Sequence, residues 1–448
     1  APAQESEVAS AIYADPSDSN SGVEVVTLEE ALTTALSYNA AIREAEQRVN
    51  EQHGVLIYAR SFLFPKVEAS GRFDAEDQDL IPSFGQSSFG SDKTWDAKLE
   101  IRQPLYTGSR GFNYYREQKL REEAARAELE AIAQDVIYQV TQSFFDVLLA
   151  RSQMEVQRES VRLLEEELRN ERNKFAAGTI SEFNVLRAEV AVANARTPLI
   201  RAENALKLAK EELKRILGAA PQHPQRLREE VDVKGELSSP PFQVVLDDAL
   251  EQAEARRPEL RQLNLLIDAA ERGVAVEWGA YLPELSGTAS YGIEKSRFSD
   301  ELDDTLNGWR AGLEVTWDVW DTFETKSLVD QAKARLARAR IAHRQRKLDV
   351  EVEVRRAYSR LLEAKALLRA SEKVVQQADE SLRLARNRFN AGAGTQLDVL
   401  DAQVALTEAK SNRVQALYDY NLSIARMQRA QGIIDSPHAS AKEAESPS

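Results

Sequence analysis

The chain has no cysteine, which excludes disulfides, thiolate metal sites and a lipidated N-terminal cysteine. It has no run of eighteen apolar residues, so no transmembrane helix is expected, and no secretory hydrophobic region. The opening APAQESE resembles a mature end left after cleavage behind small residues. Only two methionines occur, Met154 and Met427, too few for a copper(I) relay. The four histidines, His53, His223, His343 and His438, lack metal-ligand spacing. No nucleophile elbow or phosphate loop is present. Catalysis therefore has no foothold, and neither a cofactor nor a metal is expected. A net charge of -15, with no basic face, argues against a nucleic-acid partner.

Glycine and proline are also scarce, 19 and 14 in 448 residues. What fills the chain instead is Ala, Leu, Val, Glu, Arg and Gln, with 29% charged residues of both signs interspersed. Long solvated helices fit that profile.

The chain repeats itself. Asn173 to Ala195, NKFAAGTISEFNVLRAEVAVANA, returns 214 positions later as NRFNAGAGTQLDVLDAQVALTEA, with ten of twenty-three positions identical. The same offset maps Val136, Val140, Phe144 and Leu148 onto Val350, Val354, Tyr358 and Leu362, and Trp95 and Leu99 onto Trp309 and Leu313. Near the front the offset becomes 218, pairing Leu28, Arg43 and Pro65 with Leu246, Arg261 and Pro283. The reading is a tandem duplication. An N-terminal tail (1–27) precedes repeat 1 (28–218), a Pro-rich connector (219–245), repeat 2 (246–432) and a C-terminal tail (433–448).

Each copy changes period in the same order. A helix over Thr27 to about Ser61, and its partner over Leu246 to about Gly279, come first. Alternation of period two follows: Val67, Ala69, Gly71 and Phe73 face one way and Lys66, Glu68, Arg72 and Asp74 the other. Strands are expected at about 66–74, 94–105, 284–293 and 309–320. Long helices are expected from about Ser109 to Phe175 and Thr325 to Phe389, about 100 Å each if unbroken. They turn near 176–184 and 390–398 into second long helices. The narrow apolar stripes predict side-by-side coiled-coil pairing.

Strands with one apolar face, one charged face and aromatics near their ends have two readings. One is a half-buried antiparallel sheet; the other is transmembrane barrel strands around a wet lumen, with Phe73, Trp95, Tyr291, Trp309 and Trp317 at the membrane interfaces. Four strands cannot close a barrel, and open edges are not tolerated in lipid. The membrane reading therefore forces oligomerisation, and three chains would give twelve strands.

At this point the chain resembles the TolC family of outer-membrane efflux channels over about residues 24 to 432. The residues carrying the resemblance are the paired openings EALTTALSYNAAIREAEQRV and DALEQAEARRPELRQLNLLIDAAERG, and the helix-to-strand junctions ARSFLFPKVEASGRF and VEWGAYLPELSGTASYG. With them come the tips RNKFAAGTISEFNVLRAE and RNRFNAGAGTQLDVLDAQ. The resemblance implies a mostly α fold with a small β part. Three chains would form a twelve-stranded barrel in the outer membrane of a Gram-negative bacterium, continued into the periplasm by twelve helices. It also implies a periplasmic adaptor docking at the tips (Gly178, Thr179, Ser181, Gly392, Ala393, Thr395), an inner-membrane pump beyond it, and a collar made from the connector and tails.

Asp398 and Asp401 align with acids that ring the closed entrance in TolC-like members. For Asp398 a capping box with Thr395 is an equally sufficient explanation. Asp401 lies one turn deeper, past the useful capping positions, and shares a face with Asp398. The family's Arg-to-acid lock is absent here, with Gly394 in place of the Arg, Asn184 in place of the acid and Phe389 in place of a Tyr. The expected replacement is Arg187 paired with Asp398 or Asp401 of a neighbouring helix pair. Gly178 and Gly392 read as left-handed helix ends. A soluble coiled-coil scaffold is the alternative function; it has no use for four duplicated alternating strands.

Overall fold

The computed structural model describes residues 24–77, 83–84, 87–88, 92–218, 231–296 and 301–434. Residues 1–23 and 435–448 of the tails, residues 219–230 of the connector, His223 and His438 lie outside the described residues. In chain order the elements are β1 (Glu24–Val26), α1 (Leu28–Tyr38), α2 (Ala40–Ser61), β2 (Lys66–Ala75), β3 (Ser83–Phe84), β4 (Ser87–Ser88), β5 (Lys93–Thr107), α3 (Arg110–Ala176) and α4 (Glu182–Leu217). The second copy follows with β6 (Val231–Val233), α5 (Leu246–Arg256), α6 (Pro258–Trp278), β7 (Glu284–Lys295), β8 (Thr305–Thr316), α7 (Glu324–Asn390) and α8 (Gln396–Gln431). The described parts of 1–43, 132–256 and 351–448 make one compact unit and those of 44–131 and 257–350 another. Each repeat thus contributes to both.

The unit drawn from 44–131 and 257–350 contains an antiparallel sheet of order β2-β5-β7-β8. Its register sorts the side chains by face. Val67, Ile101, Ala289 and Ala311 form one row, and Ala69, Leu99, Tyr291 and Trp309 the next on the same face. The intervening rows are polar: Glu68, Glu100, Ser290 and Arg310, then Lys66, Arg102, Thr288 and Gly312. Lys98 and Arg102 flank Glu100 at 3.1 and 3.7 Å. The apolar face is open, with Leu313 and Val315 about seven-tenths exposed. Among the described residues neither edge strand, β2 nor β8, has a second partner.

The last strand is shorter at its C-terminal end than alternation predicts, stopping at Thr316 instead of about 320. Its ladder partner β7 begins at Glu284, opposite Thr316, and the residue before it is Pro283, which has no N–H to donate. Trp317 and Val319 are therefore outside the sheet, and the Trp317 indole donates to the Tyr281 carbonyl at 3.1 Å. At the other end β8 starts earlier than expected, because the ladder reaches Lys295 opposite Thr305.

The other unit holds the helix tips. The expected ladder of α3 is buried: Val136, Val140, Phe144 and Leu148 are at most 3% exposed. Each such side chain contributes roughly 1.5–3 kcal/mol. Its copy in α7 departs from this. Val350 and Val354 are buried, but Leu362 is half exposed and the buried row continues through Ala357, Leu361, Ala364 and Leu368. A row of spacing four drifts around a 3.6-residue helix, so a narrow seam must step back by one position to stay straight. The described part of the connector adds β6, which pairs with β1 in parallel, Glu24 opposite Val231. Asp232 accepts from Arg151 at 2.7 Å and lies 3.5 Å from Lys210. Burial alone would raise its carboxyl, but the Val233 N–H, Arg151 and Lys210 together hold it below the ordinary range.

The single helices expected over 27–61 and 246–279 are each broken in two. The breaks fall at Asn39 and Arg257, equivalent positions with ψ of 131° and 117°. Asn39 caps twice, accepting from Ala41 N–H at 2.9 Å and donating to the Ile216 carbonyl at 2.8 Å. Arg257 precedes Pro258, whose ring pushes the preceding residue into the extended region.

Candidate gate at the two helix tips

Both tips are built by the same backbone device. In the first, Gly178 takes φ +73° and Thr179 N–H returns to the Lys174 carbonyl at 3.0 Å. In the second, Gly392 takes φ +71° and Ala393 N–H returns to the Arg388 carbonyl at 2.8 Å. Left-handed backbone favours glycine, and a Cβ at either would meet nothing within 4 Å. The glycines are thus there for conformation, as the sequence predicts, with no packing requirement.

The caps differ. Ser181 stands before α4 with no side-chain cap bond. Thr395 and Asp398 form a full capping box: the Thr395 N–H and hydroxyl both donate to Asp398 Oδ2, at 2.8 and 2.9 Å, and the Asp398 N–H donates to Thr395 Oγ1 at 3.2 Å. The Thr395 bonds, backbone first, with a weaker pull from Arg388, hold the Asp398 carboxyl below the usual carboxylate range. Asp401 is exposed one turn further on, outside the capping box. Arg187 lies on α4 with its guanidinium 4.8 Å from the centre of its own helix's Phe183 ring.

Contacts within the second hairpin and between the two hairpins hold the tips. Leu382, Val399, Ala402 and Leu406 close α7 on α8. Leu164 of α3, Val192 of α4 and Leu400 of α8 meet in a second cluster. Below them, Gln396, only 4% exposed, donates to the Asn184 carbonyl at 3.2 Å. Lys174 of α3 lies 4.6 Å over the Phe389 ring of α7. Sequence reasoning missed these joining residues. Gln396 carries no signal that marks it as buried, and Glu171 and Lys174, three apart on a charged helix, read as a solvated surface pair.

Of the aromatics expected at membrane interfaces, Phe73 and Trp95 face each other across β2 and β5, and Tyr291 and Trp309 across β7 and β8. Trp309 is the most exposed at 79%. Trp95 donates its indole N–H to the Leu302 carbonyl at 3.0 Å. Among the described residues no group of three or more His, Asp or Glu could hold a metal ion.

A family model described as outer membrane efflux protein matches residues 31–219 and 249–432. The alkaline protease secretion protein AprF of Pseudomonas aeruginosa is 25% identical over 410 residues, covering 90% of this chain and 83% of its own length. The outer membrane protein TolC of Vibrio cholerae is 26% identical over 385 residues, 84% of each chain. In structure the chain is similar to the Campylobacter jejuni CmeC outer membrane channel, with a TM-score of 0.80 at 19% identity over 93% of this chain and 89% of that one.

Proposed function

We propose, from the premise that this chain belongs to the outer membrane efflux protein family, that three copies close into one export channel spanning the outer membrane and reaching into the periplasm. The observation that carries this reading is the four-stranded sheet with two open edges and an exposed apolar face. An open edge in lipid leaves backbone groups unpaired. In β2-β5-β7-β8 each neighbour runs antiparallel, so β8 of one copy meets β2 of the next antiparallel as well, and three copies complete a ring of twelve. The half-exposed Leu362, Leu367, Val374 and Leu384 of α7 and Leu186, Val190, Ile200 and Leu208 of α4 supply apolar stripes for the copies to pack on.

Threefold symmetry gathers the tips around one axis. Asp398 and Asp401 then place six carboxylates at the entrance, a ring that attracts cations, with Asp401 the freer of the two because Asp398 is occupied in capping. Arg187 pairs with one of these acids on a neighbouring helix pair and holds the entrance narrow. The exposed tip backbone around Gly178, Thr179, Ser181, Gly392, Ala393 and Thr395 receives a periplasmic adaptor. An inner-membrane pump bound to that adaptor chooses the cargo.

The test is extraction and conductance. The chain should fractionate with outer membrane, need detergent, run as a trimer of 50.1 kDa chains and conduct ions in planar bilayers. A monomer that stays soluble without detergent would restore the scaffold reading.

A further inference from the structure

One buried carboxylate near the tips has no part in the reading above. Glu171 is fully buried. Its Oε1 accepts from Lys174 Nζ at 2.7 Å, while its Oε2 has no hydrogen-bond partner. An unmatched buried carboxylate oxygen is costly, and such exceptions call for an explanation. The Lys174 ammonium that holds it lies on the Phe389 ring of α7, so the ion pair sits where one hairpin meets the other. Glu167, one turn up α3, lies on the same face as Glu171. On α7, Arg386 faces this group and donates to Gln403 of α8 at 3.3 Å.

We propose that Glu167, Glu171 and Lys174 of α3, closed over by Phe389 and Arg386 of α7, form a proton-operated latch that binds the two hairpins of one chain more tightly in acid. A proton taken from solvent by the Glu167 carboxylate supplies an O–H on the face it shares with Glu171, and that O–H donates to the unmatched Glu171 Oε2. The proton also removes one of two like charges and leaves Lys174 matched by a single carboxylate.

The charges acting on Glu167 are consistent with this. Burial first, then the Glu171 charge, push its carboxyl above the ordinary glutamate range, and Lys174 and Arg386 pull the other way. Glu189 of α4 is engaged with Arg172 at 2.6 Å. Because the folded carboxyl titrates higher than in the unfolded chain, the stabilisation is complete below the ordinary glutamate value and is lost as pH rises through the raised one.

The test uses the full chain as trimers diluted with unlabelled copies. Spin labels go on Thr179→Cys and Ala393→Cys, where no native cysteine competes. The tip-to-tip distance distribution should be narrow at the ordinary glutamate value, about pH 4.3, and broaden as pH is raised above it through the raised value of the Glu167 carboxyl. Glu167→Gln, a neutral donor at every pH, should be narrow throughout and lose the shift. A flat wild-type titration, or a Glu167→Gln protein that still shifts, overturns the latch, and the wild-type titration decides alone if a variant fails to fold. The distance readout is independent of the channel reading. Conductance recorded in parallel separates failure of the latch from failure of the gate assignment.

Discussion

Gln396 of the second hairpin gives its side-chain amide to the main-chain carbonyl of Asn184 in the first, 3.2 Å away, from a position only 4% exposed. Because the acceptor is backbone, this link is indifferent to the side chain at 184. A buried amide bond of this kind contributes about 1 kcal/mol net, and its loss strands a carbonyl. Gln396→Leu is therefore expected to raise the channel's open probability and lower its thermal midpoint slightly. Unchanged gating together with an unchanged midpoint would remove the link from consideration.

The two tip acids should separate on substitution. Asp401→Ala is expected to weaken divalent-cation block in planar bilayers while leaving the tip fold intact, since Asp401 lies outside the capping box. Asp398→Ala should also fray the first turn of α8, seen as faster amide exchange at Thr395 and Asp398. If both variants keep wild-type cation block, the gate assignment fails. Arg187→Ala should raise conductance, and an unchanged single-channel value would sink the proposed pairing.

The pH dependence of the cap has a definite sign. The folded Asp398 carboxyl is held below its ordinary value by Thr395. Its stabilisation is thus present throughout mildly acidic conditions and is lost only as pH falls through the depressed value, beneath the ordinary carboxylate range. Exchange rates at the Thr395 and Asp398 amides, corrected for intrinsic rates, should be flat from neutral to mildly acidic pH and rise only below that range. A rise already near neutral pH would contradict the capping geometry.

Gly392 tests backbone strain in isolation. With φ +71° and open space around a would-be Cβ, Gly392→Ala should cost roughly 1–2 kcal/mol from conformation alone. Gly392→Asn, better tolerated in the left-handed region, should cost less. Thermal unfolding of the two variants gives the order, and equal midpoints would argue against the left-handed turn.

Gly279 and Gly54 make the opposite comparison. A Cβ at Gly279 would lie 2.5 Å from both the Gly108 carbonyl oxygen and Arg110 Cγ. Overpacking of this kind costs about 1–3 kcal/mol, so Gly279→Ala should reduce the yield of folded trimer. Gly54, inside α2 with nothing within 4 Å, should gain up to about 1 kcal/mol of helix propensity as Ala. Equal yields from the two variants would count against the close approach of residues 108 and 279.

Wherever a local rule was sufficient, the sequence by itself determined the structure. Strict alternation located the four strands of the larger sheet, the Gly178 and Gly392 turns needed only a residue that tolerates positive φ, and the Thr395–Asp398 box is a four-residue device. Duplication made the strands and the glycine turns visible twice, while the capping box at the tip belongs to the second copy alone. Matters that depend on what lies across from a residue were decided by tertiary structure alone. β8 ends at Thr316 because its partner strand begins at Glu284 behind a proline, and the first helix breaks because Asn39 finds the Ile216 carbonyl. Glu171 and Gln396 look like surface residues in sequence and are buried where the two hairpins meet, Glu171 on the first and Gln396 on the second. Periodicity records which face of a helix is apolar; it carries no record of which polar residue a neighbouring helix will cover, and at these tips that covering sets the bonds that join one hairpin to the other.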